Sequence, residues 1–427
     1  MRIFARFAAA TFAAPLALMT VSAAAEPVYI QAGAVITDPG APVRGPSTII
    51  VNEGRIIDIT DGYTLPADSV DVIDLTDKTL LAGLIDLHVH LTGDPGGDFW
   101  TGATEADEWG VVLGMKNAGL TVRAGFTTVR EAGSAQQTAY VLRRGTAEGL
   151  ITGPRIVAAG PALSIVGGHA DVSGFRPEVN DVLTSGYTCT GAVECAEKVR
   201  RASQNGADVI KITATGGVLS QQGAGLEAHF TAEEMTAIAD TARSLGLKVM
   251  AHAHGARGIE AASRAGIYTI EHGTFIDEAA AQAMKENGTV LVPTLMAFQG
   301  VSEGLGKGIY TPVVEEKIRA TVDVALSLVT RARAEGVEVA FGTDAGVFDH
   351  GRNAQEFKLM RDQGMTDQEA LAAATTVAAR VLGMEDEIGR VAVGYSADII
   401  AVDGNPLEDV TVLEDVDWVM VRGRVID

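Results

Sequence analysis

The chain is poor in cysteine, aromatic side chains and basic residues. Its 427 residues include two Cys and 5% aromatic residues, and 33 Lys+Arg stand against 55 Asp+Glu, for a formal net charge of −22. This acidic balance disfavours a phosphate backbone, so we expect no nucleic-acid partner. Beyond the N-terminal segment, no apolar run is long enough to span a bilayer. The length suits one α/β barrel of about 250 residues together with a smaller module.

The N-terminal segment has the pattern of an export signal. Arg2 and Arg6 precede an apolar stretch over residues 7–21, and three alanines at 23–25 form a small-residue cleavage site. The sequence therefore predicts a signal peptide over residues 1–25, a periplasmic or secreted protein and no membrane attachment after cleavage. An uncleaved membrane anchor is the alternative, which the cleavage site disfavours.

Cys189 and Cys195 are the two cysteines of the chain. An exported protein can form disulfides, and a separation of six residues permits a small closed loop. Spacing alone does not determine geometry, so two independent thiols are an equal alternative at this point.

The two ends of the chain are rich in short β-type runs broken by Gly, Pro and Asp. This pattern predicts one β-sandwich domain, discontinuous in sequence, made from residues 26–80 and 386–427. The expected strands lie at 28–32, 48–51, 55–59, 71–75, 397–402 and 417–427.

The middle of the chain, residues 81–385, alternates apolar strand-like runs with Ala-rich helical stretches, which is typical of βα units and a parallel sheet. We count eight strand candidates and therefore predict an α/β fold of the (β/α)8 TIM-barrel type. The candidates lie at 84–90, 127–130, 155–159, 209–213, 248–254, 268–272, 290–294 and 338–342. Helices are predicted between them, for example over 192–204, 232–245 and 313–335.

Five of the eight histidines fall at the carboxyl ends of three of these predicted strands, where a barrel carries its chemistry. They are His88, His90, His252, His254 and His272. The i, i+2 spacing of His88 and His90 places both imidazoles on one face of a strand, where they can chelate one ion. A single His-x-His is often two ordinary histidines, but clustering on three strand ends is not explained in that way.

Lys211 lies within the apolar strand Ala-Asp-Val-Ile-Lys-Ile. A buried ammonium is costly unless it is paired, neutralised or chemically changed. Reaction with CO2 would convert it to a carbamate whose two oxygens can bridge two ions. The alternative is a lysine whose head reaches solvent along the surface.

These residues occur within motifs that resemble the amidohydrolase superfamily. The motifs are Gly-Leu-Ile-Asp-Leu-His-Val-His, the strand-4 Lys, Met-Ala-His-Ala-His-Gly, Ile-Glu-His-Gly and Gly-Thr-Asp-Ala-Gly, in the family order. Within that superfamily the chain is similar to secreted or periplasmic Xaa-Pro and Xaa-Lys/Arg dipeptidases and to ochratoxin-hydrolysing amidohydrolases. The resemblance covers nearly the whole chain after residue 25.

The resemblance implies a binuclear metal centre. His88, His90 and Asp344 would hold one ion, His252 and His272 the other, and a carboxylated Lys211 would bridge them. His254 shares a strand face with His252, and the resemblance favours His252 as the ligand. Histidine and carboxylate ligands suit two divalent ions such as Zn2+. Two such ions activate a bridging water, and Asp344 would then act as the proton carrier with Lys211 as the bridging catalytic group.

The resemblance is less informative about the substrate. His169 is expected to contact the substrate and assist catalysis, and His254 and Arg257 are the next candidates for substrate binding. A pair between Arg130 and Glu131 is expected to be structural, and residues 215–220 to shape the pocket. A long mobile loop is expected at 93–104, over the site. His229 and His350 are expected at the surface.

The expected substrate is a small molecule with an amide or peptide bond to a C-terminal amino acid. A dipeptide, an N-acyl amino acid or an ochratoxin-type amide would satisfy this description. The alternatives are a single-metal cyclic amidohydrolase or deaminase of the imidazolonepropionase type, which lacks the bridging lysine, and a lactonase. The resemblance also implies a homo-oligomer, with an octamer as one form.

Overall fold

The computed structural model describes residues 26–64, 72–96, 100–221 and 225–427. The predicted signal peptide and the centre of the predicted loop at 93–104 lie outside these residues. Within the described ranges, no helix combines the length and the apolar character needed to cross a bilayer.

The described residues form sixteen strands and thirteen α-helices. The strands are β1 (Val28–Ile36), β2 (Ser47–Asn52), β3 (Arg55–Asp61), β4 (Val72–Ala82), β5 (Leu84–Val89), β6 (Phe126–Glu131), β7 (Arg155–Ala158), β8 (Ser164–Ile165), β9 (Thr188–Cys189), β10 (Ile210–Thr213), β11 (Val249–Ala253), β12 (Thr269–His272), β13 (Val290–Val292), β14 (Ile399–Val402), β15 (Val416–Val421) and β16 (Arg424–Ile426). The helices are α1 (Trp109–Arg123), α2 (Thr138–Ala147), α3 (Pro177–Leu183), α4 (Ala192–Asn205), α5 (Ala232–Ser244), α6 (Ala256–Arg264), α7 (Glu278–Asn287), α8 (Leu295–Glu303), α9 (Pro312–Ala325), α10 (Leu328–Ala334), α11 (Gln355–Asp362), α12 (Asp367–Ala373) and α13 (Thr376–Leu382).

Both chain ends contribute to one seven-stranded sheet, in the order β16-β15-β14-β4-β1-β2-β3. Strand β4 lies at its centre, parallel to β1 and antiparallel to β14. Buried apolar side chains of this sheet form one cluster, which includes Ile30, Ile49, Leu80, Ile399 and Met420. The terminal segments are therefore held together by backbone pairing and by a shared core, and the domain limits at residues 80 and 386 stay a prediction.

The middle of the chain forms two parallel sheets, β5-β6-β7 and β10-β11-β12-β13, flanked by the helices. Every residue of β5, β10 and β11 is buried, as expected of parallel strands covered on both faces. Single parallel bridges join the two sheets to the segments between them. They are Leu163↔Ile212, Leu291↔Val339 and Val89↔Ala345. The α/β class is confirmed, and seven of the eight predicted strands are present with shifts of one or two residues at their ends.

The eighth predicted strand, at 338–342, is not a continuous strand. The segment makes one bridge at Val339, and its hydrogen bonds alternate between the two neighbouring strands. Ala340 N–H donates to Leu291 on one side, and Phe341 O accepts from Leu87 on the other. It thus lies between β13 and β5 without a regular ladder to either.

The predicted helix over 313–335 is two helices, α9 and α10, separated at Leu326 and Ser327. Ser327 leaves the helical conformation at φ −126° and ψ 9°, and it precedes the first residue of α10. Serine competes for backbone hydrogen bonds and favours helix ends, so the break has a local cause.

Cys189 in β9 and Cys195 in α4 form a disulfide with a Cα–Cα distance of 5.1 Å. Both cysteines are buried in the main apolar core. Of the two alternatives that the sequence left open, the structure therefore has the disulfide, which joins β9 to the first turns of α4.

Candidate metal centre

Two triads of potential ligands lie at the carboxyl ends of the parallel strands. One triad is His88, His90 and Asp344, and the other is His252, His254 and His272. Within each triad the ligand atoms all lie within 4.8 Å of one another. The rings of His88 and His272 are 5.2 Å apart, so the two triads adjoin. The five predicted ligands other than Lys211 are thus brought together, and His254 lies with them.

Hydrogen bonds at Nδ1 orient the two histidine rings of the first triad. Nδ1 of His88 donates to Oε2 of Glu271 at 2.9 Å, and Nδ1 of His90 donates to the carbonyl of Gly133 at 2.9 Å. Each ring therefore directs Nε2 to Oδ1 of Asp344, at 3.4 Å from His88 and 3.3 Å from His90. Such outer contacts determine which ring nitrogen carries the lone pair.

Threonine hydroxyls orient two rings of the second triad. Nδ1 of His272 lies 2.7 Å from Oγ1 of Thr294, and Nδ1 of His254 lies 2.6 Å from Oγ1 of Thr274. His272 and Thr294 both have left-handed backbones, with φ +72° and +50°. This conformation is costly for residues with a side chain and is concentrated at functional sites.

His252 has the opposite ring orientation. Its Nε2 donates to the carbonyl of Gly216 at 3.2 Å, which leaves Nδ1 as the ring nitrogen with a lone pair in the neutral form. His252 and His254 both belong to the triad. The choice between them as ligand therefore stays open at the level of geometry.

Lys211 lies beside the first triad, and close enough to the second for its charge to act on His252 and His272. It is buried in β10, and its Nζ is 3.5 Å from Nε2 of His88. Burial lowers the pKa of the Lys211 ammonium, and the charges of Glu271 and Asp344 oppose that shift. The alternative of a lysine that reaches solvent is wrong, because 4% of the residue is exposed.

The protonation states suit metal ligands. Burial lowers the pKa of His88, His252 and His272 well below the ordinary value. Burial alone would lower the pKa of His90, but its contact with Asp344 raises it overall. Burial alone would raise the pKa of Asp344, but its contacts with His88 and His90 lower it overall. Neutral imidazoles and an ionised carboxylate are the forms that bind a divalent ion, and His88, His252, His272 and Asp344 have these forms.

Asp86, in the Ile-Asp-Leu-His motif, fixes the segment that carries Asp344. Its carboxylate accepts hydrogen bonds from the backbone of His88 and from the backbone and hydroxyl of Thr343. Nδ2 of Asn353 donates to the same group at 2.8 Å. Asp344 itself has φ +63°, so this buried network holds a strained residue in place.

A cavity of about 270 Å³ opens over the two triads. Its walls combine the histidines and Lys211 with apolar side chains, among them Val218, Leu219, Phe298 and Val301. The described parts of the loop at 93–104 line a neighbouring cavity that shares Leu219 and Val347 with the first. The potential ligands therefore form one side of the cavity, and apolar side chains form the rest of its lining.

His169 lines this cavity, and its ring centroid is 4.3 Å from that of His252. Burial lowers the pKa of His169 to about 3, so the ring is neutral. Its buried Nδ1 has no hydrogen-bond partner among the described residues. A methyl group on Gly217 would overlap the ring, so glycine is required there for this placement.

Arg257 is not brought to the cavity. Its side chain is 78% exposed and pairs with Glu227 at 2.6 Å, and it is absent from the residues that line the cavity. His254 lines the cavity wall as expected. Thr215 accepts the N–H of His254, and Val218 and Leu219 line the cavity, so residues 215–220 do shape the pocket.

Two expectations about neighbouring residues are wrong, and a third, that His229 lies at the surface, is met only in part. Arg130 pairs with Glu271 at 2.9 Å, whereas Glu131 accepts the backbone N–H of Leu91. His350 is buried, and its Nε2 donates to the carbonyl of Gly93 at 3.2 Å. His229 is half-buried.

Sequence reasoning missed Glu271 as a functional residue, although it precedes His272 in the Ile-Glu-His-Gly motif. One of its oxygens accepts from His88, and the other accepts from Arg130 and, at 2.5 Å, from Thr269. A glutamate inside a buried strand next to a predicted ligand was the signal that could have identified it.

The chain belongs to the amidohydrolase family, whose sequence profile matches residues 79–426. It is 33% identical to an ochratoxinase of Aspergillus niger over 420 residues, which cover 92% of this chain and 84% of that protein. A solved Xaa-Pro dipeptidase with methionine bound in its active site is 37% identical, with a TM-score of 0.86, over 93% of this chain and 99% of that one.

A solved prolidase in complex with N-methylphosphonate-L-proline is 31% identical, with a TM-score of 0.85, over 94% of this chain and 99% of that one. Family membership and these relatives, together with the two triads, define the chain as a hydrolase that acts on amide bonds.

Proposed function

We propose that the chain is a binuclear metal-dependent amidohydrolase on a closed (β/α)8 barrel. It hydrolyses the amide or peptide bond between an acyl or aminoacyl group and a C-terminal amino acid. The position of Lys211 carries this proposal, because a buried lysine next to two adjoining ligand triads has no role in a single-ion site.

The residues present fit two divalent ions. Oδ1 of Asp344 is buried and has no hydrogen-bond partner among the described residues, although two imidazoles face it. His88, His90 and Asp344 would hold one ion, and His252 and His272 the other. Carboxylation of Lys211 would remove a buried positive charge and supply two oxygens to bridge the ions. Nitrogen and carboxylate ligands suit zinc.

When bound, two such ions supply Lewis acidity toward the carbonyl and lower the pKa of bound water. Asp344 would carry the proton from the attacking water to the leaving amine. Burial opposes the ionisation of Asp344, but its contacts with His88 and His90 lower its pKa overall, so its carboxylate is ionised and can accept the proton of the attacking water. The same carboxyl then donates that proton to the nitrogen of the leaving amine.

His169 and His254 are the substrate contacts that the geometry supports best. Both line the cavity, and burial holds the pKa of each at about 3, so both rings are neutral at physiological pH. A neutral ring donates one N–H, which suits a carbonyl or carboxylate oxygen of the substrate. Arg257 as a third contact stays a prediction that its position does not support.

The proposed substrate class rests on the relatives and on the walls of the cavity. The solved relatives hold methionine and an N-phosphonylated proline, and the A. niger relative is an ochratoxinase. Phe298, Val218 and Val301 give apolar walls for a side chain or an acyl group. Xaa-Pro and Xaa-Lys/Arg dipeptides, N-acyl amino acids and ochratoxin-type amides all have the required bond.

A hydrolysis screen of the metal-loaded protein across these amides tests the proposal, with Asp344→Asn as the matched variant. We expect cleavage of at least one amide of this class and a loss of at least about 100-fold in Asp344→Asn with metal still bound. Activity on lactones or cyclic ureides alone, or full activity in the variant, would contradict it.

We further propose that the protein is exported to the periplasm or medium and forms a homo-oligomer, with an octamer as one form. The disulfide between Cys189 and Cys195 supports export, because disulfides persist in oxidising compartments.

A further inference from the structure

A separate cavity of about 140 Å³ lies at the opposite end of the parallel strands from the metal centre. Its walls come from the connection between α2 and β7, which includes Gly149 and Thr152, and from the β15–β16 hairpin. Arg155, in its wall, is the first residue of β7, whereas the metal ligands lie at the carboxyl ends of strands. No residue lines both cavities.

Three arginines line this second cavity, Arg155, Arg422 and Arg424, and no acidic residue does. Nη1 and Nη2 of Arg155 pair with Glu387 and Asp398, each at 3.1 Å. In the described part of the chain, the guanidinium groups of Arg422 and Arg424 have no ion pair within 4.0 Å.

Two of these groups have buried donors without an acceptor. Nε of Arg155 and Nε of Arg422 are both buried and lack a hydrogen-bond partner among the described residues. Such groups are rare in folded proteins, because a buried unpaired donor is destabilising. Neither atom is exposed to the cavity, but guanidinium groups do not lose their protons in proteins, so both arginines keep their positive charge beside it.

The positive charges of the three arginines are only partly neutralised by the carboxylates of Glu387 and Asp398. Burial and the neighbouring charges of Arg155 and Arg424 lower the pKa of Arg422, and Asp398 and Glu387 only partly oppose them. A positive cluster of this kind is notable in a chain of net charge −22. The cavity therefore has the charge and the space for an anion.

We propose that this cavity binds a small tetrahedral oxyanion, of the chemistry of inorganic phosphate or a phosphate ester. Guanidinium groups from separate segments present several N–H donors, and a phosphate offers several oxygens to match them. Its volume of about 140 Å³ exceeds the ~30 Å³ of one liquid water several-fold. The anion would connect the last two strands to the α2–β7 connection and stabilise the folded chain.

Thermal unfolding of the metal-loaded protein against inorganic phosphate, at constant ionic strength made up with chloride, tests this site. We expect a saturable rise in Tm of about 2 °C or more, together with a matching isotherm in calorimetry. Arg422→Gln and Arg424→Gln should each remove most of that rise. Arg424 is exposed, so its variant should fold even if the Arg422 variant does not.

The matched control is Arg144→Gln, which removes one charge from an exposed arginine on the neighbouring helix α2. This variant should respond to phosphate as the parent protein does. The proposal is overturned if Tm does not rise, or if the rise matches that in chloride alone. It is also overturned if Arg424→Gln retains the full response, which would assign phosphate binding to the metal centre or another site.

Discussion

Oε2 of Glu271 and Nδ1 of His88 are 2.9 Å apart, and the other carboxylate oxygen of Glu271 accepts from Arg130. Glu271 thereby fixes the ring orientation of one ligand from a neighbouring part of the sheet. Carboxylate partners of this kind make the imidazole a better ligand.

Glu271→Gln should weaken metal binding by about 10- to 100-fold, because a neutral amide oxygen accepts more weakly from His88 and no longer increases the basicity of its ring. Competition with a chelator measures this directly. The matched control is Glu338→Gln, which removes an exposed Glu–Arg pair outside the centre. If both variants bind metal as tightly as the parent protein, Glu271 has no role in the centre.

Gly217→Ala should lower kcat/KM on the order of 100-fold, because the added methyl displaces the His169 ring from the cavity wall. Metal content should stay unchanged, since His169 belongs to neither triad. Gly45→Ala is the control, because a methyl there meets no atom within 4 Å. Equal kcat/KM in the two variants would remove His169 from the substrate site.

His350 should make folding stability depend on pH. Burial lowers its pKa to about 4 in the folded chain, against about 6.5 in the unfolded chain, so the unfolded state binds more protons between these values. The stability from the neutral ring is present above pH 6.5 and is lost as pH falls towards 4. The loss between pH 7 and pH 5 should be roughly 2 kcal/mol.

His350→Gln keeps a polar side chain that can donate to Gly93 but does not titrate. Denaturant unfolding of both proteins at pH 7 and pH 5, with the same metal present, measures the difference. The stability of the variant should fall less with acidification, by about the same 2 kcal/mol. Identical pH dependence in the two proteins would show that His350 protonates freely in the folded state.

The sequence could predict that the strand-end histidines and Asp344 come together, because their placement follows from local rules. Alternation along a strand puts His88 and His90 on one face, and strand ends gather at one end of parallel sheets. The α/β class followed from the same periodicity. The pairing of Arg130 with Glu131 was wrong for a related reason, since adjacent strand residues point to opposite faces.

The contacts between distant segments could not be predicted in this way. Thr294 reaches His272, and Gly93 reaches His350, only after the chain has folded. The burial of His350 and the choice of Glu271 as the partner of Arg130 depend on such contacts. The irregular segment at 338–342 could not be predicted for the same reason, since its hydrogen bonds are divided between two neighbouring strands.

The central claim is that Lys211 is a carboxylated bridge between two metal ions. The most direct measurement is the metal content of the purified protein, combined with 13C NMR after exposure to 13C-labelled bicarbonate. We predict two ions per chain and a carbamate signal that Lys211→Met abolishes together with at least one ion. One ion per chain with an unmodified lysine would contradict the account.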